Sequence, residues 1–318
     1  MPINTSFSEL AVTTIAERTK SFANNVENGN ALLKTLQESG KIRTADGGTQ
    51  ILQEIDIVEN GTFMYYTGYE VLNVNPSEVL STSQWDWKLA SVVVSMSGYE
   101  SEVVNAGTNR QIDLFESRYE NANRTMRNKI SEGIYSDGTG SAGKQITGLQ
   151  YIIEDVPGSL VTVAGINDNT YTAWQNQALD FGAVTSTDIQ EKMNEIYLSC
   201  TFGNESPNVI VADSIFYKMY WDSLQAIQRI TEDGTGGAGF RSLRYAGGIP
   251  VYYENAAIPA NHLYMLNTEF LHWRPHVDRN MVSLGERKPT NQDAMVFPIG
   301  FAGNLTCSGR RYQGVGYT

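Results

Sequence analysis

The residues that come nearest to a recognisable catalytic motif form a glycine-rich stretch at 138–145, with the sequence GTGSAGKQ. The phosphate-binding pattern G-x-x-x-x-G-K-[ST] is matched at Gly138, Gly143 and Lys144, but Gln145 stands where a hydroxyl would ligate Mg²⁺. The stretch also follows a predicted helix, whereas a phosphate-binding loop follows a strand and opens a helix. A nucleotide-hydrolysing α/β enzyme is therefore a remote alternative, and no nucleotide or other cofactor is expected.

Other side chains capable of catalysis or metal binding are few. His272 and His276 are four residues apart, but Pro275 between them disfavours the helix on which that spacing would hold a metal. Cys200 and Cys307 cannot form a C-x-x-C motif and are expected to be buried thiols. The sequence shows no G-x-S-x-G motif and no Ser-His-acid arrangement. We therefore expect no catalytic residues, no metal site and no enzyme.

Composition predicts a packed, acidic globular protein. The chain has 318 residues, of which 41% are hydrophobic and 18% charged, outside the range of disordered chains. No run approaches the ~18 apolar residues of a membrane span, and the first residues do not resemble a secretion signal, so a soluble protein made in the cytoplasm is expected. The formal charge is 23 − 35 = −12, which opposes the wrapping of nucleic acid.

The first part of the chain predicts a polar arm followed by a β-hairpin. Residues 1–45 are polar, with at most one helix, in the weakly amphipathic stretch 22–36. Further on, apolar and polar residues alternate on both sides of Asn60-Gly61, a pair that favours a type I′ turn with positive φ at both positions. The expected strands carry Ile51, Ile55 and Ile57 before the turn and Phe63, Tyr65, Tyr69 and Val71 after it.

The predicted hairpin lies in a strongly acidic part of the chain. Residues 44–87, called the acidic ribbon below, contain no Lys or Arg and carry Asp46, Glu54, Asp56, Glu59, Glu70, Glu78 and Asp86. A two-stranded ribbon is only marginally stable in water without a surface to pack on. Two interpretations follow: a solvated acidic hairpin at the edge of the protein, or a ribbon that lies on a basic face of another subunit.

A strand and a long helix are expected next. Residues 85–99 are rich in β-branched and aromatic residues and predict one strand ending at Gly98. Thr108 and Gln111 form a capping pair for a helix at about 109–136, roughly 40 Å long at ~1.5 Å per residue. Its apolar positions recur at three- and four-residue steps, from Ile112 and Phe115 to Ile134. The opposite face carries Arg118, Arg124, Arg127 and Lys129.

The second half of the chain predicts an α/β block. Apolar runs at 149–155, 207–212 and 262–267 indicate short strands, and the tail at 297–317 indicates a β return. Thr187 with Gln190 is expected to cap one helix, and Asp213 a second one.

The order of these parts resembles the major capsid protein of tailed bacteriophages (Caudoviricetes type), which has the Hong Kong 97 (HK97) fold. The stretches that carry the resemblance are MYYTGY at 64–69, WDWK at 85–88, YSDGT at 135–139, ITGL at 146–149, FRSLRYAGGIPV at 240–251 and YMLN at 264–267. The resemblance implies an α+β capsid fold. It places an N-terminal arm at 1–45, the E-loop hairpin at 46–84, a peripheral domain with the spine helix at 85–150 and 255–318, and an α/β axial domain at 151–254.

The resemblance also implies a function. Such subunits assemble as hexamers and pentamers into an icosahedral head that encloses double-stranded DNA without sequence-specific binding, in the virion, after synthesis and assembly in the host cytoplasm. A separate scaffolding protein, a portal and a decoration protein are the implied partners, with no membrane. The nearest alternative is an encapsulin-type nanocompartment shell. The predicted contact places Glu54, Asp56, Glu59 and Glu70, with Phe63, Tyr65 and Tyr69, against Arg118, Arg124 and Arg127 of a neighbouring spine helix.

Overall fold

The computed structural model describes residues 30–75, 79–100, 108–160, 162–224, 243–254 and 258–318. The helical segments in these residues are α1 (Ala31–Glu38), α2 (Thr108–Ile134), α3 (Gly140–Gly143), α4 (Leu149–Ile152), α5 (Ile189–Ser199) and α6 (Ser214–Ser223). The strands are β1 (Gln50–Asp56), β2 (Leu80–Asp86), β3 (Lys88–Ser97), β4 (Gln177–Asp180), β5 (Val209–Ala212), β6 (Leu243–Tyr245), β7 (Ile249–Tyr253), β8 (His262–Leu266), β9 (Leu271–Pro275), β10 (Val282–Ser283), β11 (Ala294–Cys307) and β12 (Gly314–Tyr317).

The end of the N-terminal arm is part of the core. Helix α1 begins at Asn30, whose side chain accepts a hydrogen bond from the Leu33 N–H at 3.1 Å. Leu32 and Leu36 are fully buried among residues of the main core cluster. The chain then runs parallel to β9, where Ile42 pairs with Trp273. The predicted helix at 22–36 is thus confirmed over its described part, and residues 22–29 lie outside the described residues.

Strands β1 and β2 form the root of the acidic ribbon, but the predicted turn is wrong. They pair antiparallel, from Gln50 opposite Asp86 to Asp56 opposite Leu80. The second strand of the hairpin therefore begins at Leu80 and not directly after Asn60-Gly61. Neither residue of that pair has a positive φ. Instead the Asn60 side chain accepts hydrogen bonds from the N–H and hydroxyl of Thr62, a side-chain-closed turn that replaces the type I′ turn. Residues 57–75 form an exposed loop without strands.

The spine helix α2 packs on a four-stranded sheet. In this sheet β11 pairs with β3, β9 and β10, all antiparallel. Phe115 and Tyr119 of α2 are buried against the sheet, with the rings of Phe115 and Phe297 5.0 Å apart. The predicted apolar stripe is confirmed from Phe115 to Ile134, whereas the Ile112, Thr108 and Gln111 side chains lie outside the described residues.

The predicted single strand at 85–99 is interrupted. Trp85 and Asp86 complete β2 of the ribbon, and β3 begins only at Lys88. Between them, the Trp87 indole N–H donates to the Gly48 carbonyl at 2.9 Å. One apolar run therefore supplies two strands that belong to different sheets. The pattern of residue types does not indicate where the chain passes from one sheet to the other.

The second sheet has six strands in the order β4-β12-β8-β5-β7-β6. The buried strand predicted at 207–212 and the strand at 262–267 are its central members β5 and β8. Asp213 caps α6 by accepting from the Phe216 N–H at 2.9 Å, as predicted. The predicted boundary between the axial domain (151–254) and the returning peripheral domain (255–318) runs through this sheet. Strands β8 and β12 come after residue 254, yet they pair in one sheet with β4–β7.

Two further local predictions are wrong. The expected strand at 149–155 is instead the helical turn α4. Gly148 precedes this turn and packs so closely on the end of α2 that a Cβ there would lie 2.4 Å from the Ile134 carbonyl oxygen. Just after it, the Asn176 side chain bonds both backbone groups of Glu154, in place of a strand neighbour. Thr187 does not cap α5: the helix begins at Ile189 with Asp188 at the N-cap position, and the Thr187 hydroxyl bonds to the Thr185 and Asp188 side chains.

Candidate subunit-contact surfaces

The root of the acidic ribbon has one face turned to the body of the protein and one turned away. On β1, Ile51 and Ile55 are buried, while Leu52, Glu54 and Asp56 between and beyond them are exposed. This alternation follows from the period of two in a strand. The three predicted contact carboxylates of this region, Glu54, Asp56 and Glu59, are exposed and form no ion pair with a described residue.

The loop at 57–75 exposes an unusual amount of aromatic surface. Phe63 is 76% exposed, Tyr65 91% and Tyr69 105%. Phe63 and Tyr65 touch only edge to face, with ring centroids 5.2 Å apart, and Glu70 bonds to Thr67 within the same turn. Several large, exposed aromatic side chains in one loop make it a candidate interaction site.

Among the described residues, no ion pair joins the basic face of α2 to the acidic ribbon of the same subunit. Arg118 forms a bidentate ion pair with Glu100, in which both Nη atoms lie 2.9 Å from the carboxylate oxygens. These hydrogen bonds lower the pKa of Glu100 to about 2. Arg127 is half-buried with contacts of its own, whereas Arg124 is exposed. Of the three predicted arginines, Arg118 is thus engaged inside its own subunit, and the contact with a neighbour stays a prediction.

The glycine-rich stretch forms a supporting turn beside the ribbon. It follows α2 directly, and Lys144 is exposed. Lys88 donates to the Gly143 carbonyl at 2.7 Å, so a lysine from another strand occupies the space next to the turn. In the described residues the stretch has neither the preceding strand nor the following long helix of a phosphate-binding loop.

We expect Lys144→Ala to bind as little ATP as the wild type and to assemble equally well. An exposed lysine without a phosphate cradle contributes nothing to either property. Calorimetric titration with Mg-ATP and sedimentation of assembled material check this, with Lys218→Ala as an exposed control. ATP binding by the wild type that is lost in Lys144→Ala would contradict it.

The histidines and cysteines occupy separate, mostly buried positions. His262 bonds to Asp155 at 3.1 Å, His272 to Gln53 at 3.3 Å, and His276 stacks edge-on against Trp87. No group of three or more His, Cys, Asp or Glu in the described residues could hold a metal. Cys200 and Cys307 are fully buried, as predicted, and burial raises the pKa of each to about 12.

His272 makes stability depend on pH. Burial, followed by the nearby Arg43, Arg274 and Lys41, lowers its pKa from 6.5 to about 4. The unfolded chain therefore binds more protons than the folded one between pH 6.5 and 4, and stability falls as the pH falls through that window. Between pH 7 and pH 4.5 the wild type should lose about 2 kcal/mol more of its free energy of unfolding than His272→Gln. Urea unfolding at pH 7 and pH 4.5 measures this, and equal losses would contradict it.

Two features of the structure have no counterpart in the sequence patterns. One is the buried Arg310, which binds Glu154 and Asp168. The other is the pairing of 41–45 with β9, which places Arg43 beside Arg274. Isolated arginines in a sequence give no signal of either, because their partners are more than 100 positions away.

Among the described helices, none is both long and apolar enough to cross a membrane.

Comparison with solved structures identifies the fold. No protein-family model and no curated protein matches the sequence. The capsid asymmetric unit of cyanophage A-1(L) is 15% identical and aligns with a TM-score of 0.58 over 87% of this chain and 90% of that one. The SrpI encapsulin of Synechococcus elongatus PCC 7942 is 10% identical (TM-score 0.57, 86% and 83%), and the capsid of myovirus XM1 is 10% identical (0.53, 88% and 90%). The chain therefore has the α+β fold of HK97-like capsid proteins.

Proposed function

We propose that this protein is the major capsid protein of a tailed bacteriophage and assembles as hexamers and pentamers into an icosahedral head around double-stranded DNA. The observation that carries the proposal is the loop at 57–75, whose aromatic side chains are exposed on an acidic ribbon. Burying one such side chain stabilises a contact by ~1.5–3 kcal/mol, so the loop favours association with another subunit.

The similar structures support a shell rather than a soluble enzyme. Two of the three compared above are described as phage capsids and one as an encapsulin. The role is therefore structural, and no catalytic residue is assigned. The encapsulin reading is the second candidate. Neighbouring genes separate the two, since portal and terminase genes accompany a phage head, whereas an enzyme-cargo gene accompanies a compartment.

The contact between subunits is proposed to run from the ribbon of one subunit to the peripheral domain of the next. Phe63, Tyr65 and Tyr69 supply apolar area, and the ribbon carboxylates set the register through several weak ion pairs of ~0–1 kcal/mol each. Of the predicted spine residues, Arg124 is the exposed one that supports this contact most directly.

Further partners follow from the same proposal. A separate scaffolding protein, a portal and a decoration protein would accompany assembly, which would take place in the host cytoplasm and end in the virion. The ribbon has no lysine between Arg43 and Lys88, so isopeptide cross-linking from this loop is not part of the proposal. The net charge of −12 supports an interior that does not hold packaged DNA tightly.

Electron microscopy of the purified, full-length protein tests the proposal. We expect closed round shells with fivefold vertices when the protein is concentrated. Protein that stays monomeric at every concentration, salt and pH, also with lysate from infected cells added, would overturn it. Shells isolated from the native source that contain an enzyme and no DNA would favour the encapsulin alternative.

A further inference from the structure

Two arginines from distant parts of the chain lie side by side on one face of the protein. The segment 41–45 runs parallel to β9, with Ile42 paired to Trp273. The next pair in this register is Arg43 with Arg274. Side chains of paired residues point to the same side of a sheet, and alternate along it. Because Ile42 and Trp273 pack against the core, Arg43 and Arg274 point to the opposite side. We call these two residues the basic patch.

Within the described part of the chain, no carboxylate forms an ion pair with the basic patch. Lys41 and His272 lie on the same face, but Lys41 is neutralised by Glu269 at 2.5 Å. Neither Arg43 nor Arg274 forms an ion pair with a described residue. The Nε atom of Arg274 is buried without a hydrogen-bond partner among the described residues. Burial and then the nearby charge of Arg43 lower the pKa of Arg274, because two like charges close together disfavour the charged form.

A carboxylate is the ligand that suits this geometry. A guanidinium presents a planar fork of N–H donors that matches the two oxygens of a carboxylate, and two adjacent guanidiniums match a strand or loop that carries several carboxylates. The chain itself contains one such segment, the acidic ribbon at 44–87, with seven acidic residues and no basic one.

The ribbon of the same subunit is turned the wrong way to serve this role. On β1, Gln53 points toward the body and contacts His272 beside the basic patch. Glu54 and its exposed neighbour Asp56 therefore point away from that contact, because side chains alternate along a strand. Within the described part of the subunit, these two carboxylates of β1 are therefore not available to the basic patch, whereas a second copy presents the same exposed carboxylates without this constraint.

We propose that Arg43 and Arg274 bind carboxylates of the acidic ribbon of a second copy of this chain. This inference rests on the proposed function, in which ribbons join neighbouring subunits. It adds a receptor that the sequence did not single out and that lies apart from Arg124 on the spine helix.

The test compares charge reversals in the full-length protein. Arg43→Glu/Arg274→Glu should raise the protein concentration needed for half-maximal association by tenfold or more, as measured by sedimentation velocity. Lys218→Glu/Lys288→Glu changes the net charge equally at exposed lysines on other elements and should leave that concentration unchanged. Adding Glu54→Lys/Asp56→Lys/Glu59→Lys to the Arg43/Arg274 variant should restore association, because the attraction is re-formed with the signs exchanged.

The outcomes separate this inference from the proposed function. If the wild type forms shells and Arg43→Glu/Arg274→Glu forms them at the same concentration, the inference is overturned and the capsid function stands. If the wild type forms only small oligomers that the same reversal dissociates, the inference stands and the capsid function falls. A wild type that never associates overturns both. Tight binding of a short DNA duplex by the wild type, lost in Arg43→Ala/Arg274→Ala, would assign the patch to phosphate and also overturn the inference.

Discussion

Arg310→Met is expected to lower the free energy of unfolding by about 3–5 kcal/mol, because it removes the cation from a closed network of buried groups. The Arg310 side chain is fully buried. Its guanidinium donates to Glu154 at 2.8 Å, to Asp168 at 3.3 Å and to the Ile152 carbonyl at 2.6 Å. Both carboxylate side chains are also buried, so the variant would leave two negative charges without their partner.

Two further variants make this prediction specific. Arg311→Met removes the adjacent arginine, whose guanidinium lies over the Phe202 ring at 3.6 Å, and should cost only ~0.5–1 kcal/mol. Replacing the carboxylates as well, in Arg310→Met/Glu154→Gln/Asp168→Asn, should recover part of the loss because no buried charge remains. Urea unfolding followed by tryptophan fluorescence measures all three. A loss in Arg310→Met no larger than in Arg311→Met would contradict the prediction.

The Arg310 network also connects two distant parts of the subunit. Arg310 lies between β11 and β12, and its partners lie in the chain that links the end of the spine helix to β4. It therefore joins the chain just before β12, a strand of the six-stranded sheet, to the segment between α2 and β4. If these two parts of the subunit moved independently, contacts made at one end would not fix the position of the other.

The parts of the fold that the sequence predicts well are those set by local physics. The apolar stripe of α2 from Phe115 to Ile134 follows from the helical period, and Asp213 caps α6 because its oxygen lies within reach of a backbone N–H three residues later. Strand β5 is buried on both faces and is recognisable as a short apolar run. Each of these depends on neighbours within a few turns of chain.

The failures share a different cause, which is competition from distant groups. Residues 63–71 have the alternation of a strand, yet the partner of β1 is β2, where Trp85 and Ser83 are buried and Trp85 bonds to Ser83 at 3.2 Å. The exposed aromatics that mimic a strand are better explained as a contact surface. Likewise, Asn176 takes the backbone bonds of Glu154 that a strand at 149–155 would have used.

The sequence predicts the exposure of the candidate contact residues better than their charge partners. Exposure of Phe63, Tyr65 and Tyr69 agrees with a contact role, since none packs into its own subunit. Arg118, by contrast, is held by Glu100, an acid three residues after the end of β3 that no local pattern connects with it. A charge on a predicted helix face identifies where a side chain points, but not whether its own chain already neutralises it.

The second large effect is expected from Glu54→Lys/Asp56→Lys/Glu59→Lys, which should prevent shell closure while leaving the subunit folded. These side chains are exposed and form no ion pair with a described residue. The circular dichroism spectrum should therefore match that of the wild type, and the free energy of unfolding from urea titration should stay within ~0.5 kcal/mol of it. At a contact with a basic surface, each reversal replaces attraction by repulsion. At about 1 kcal/mol per charge, the three together weaken each contact about a hundredfold.

A matched control distinguishes a ribbon contact from a general effect of charge. Glu38→Lys/Glu191→Lys/Asp278→Lys makes the same change of +6 at exposed carboxylates outside the ribbon, and it should still form shells by electron microscopy. If both triple variants close normally, the ribbon is a solvated edge and its acidity has no part in assembly. If only the ribbon variant fails, reversals at the two candidate receptors are added to it in turn. Shell formation restored by Arg43→Glu/Arg274→Glu assigns the contact to the basic patch, and shell formation restored by Arg124→Glu assigns it to the spine helix.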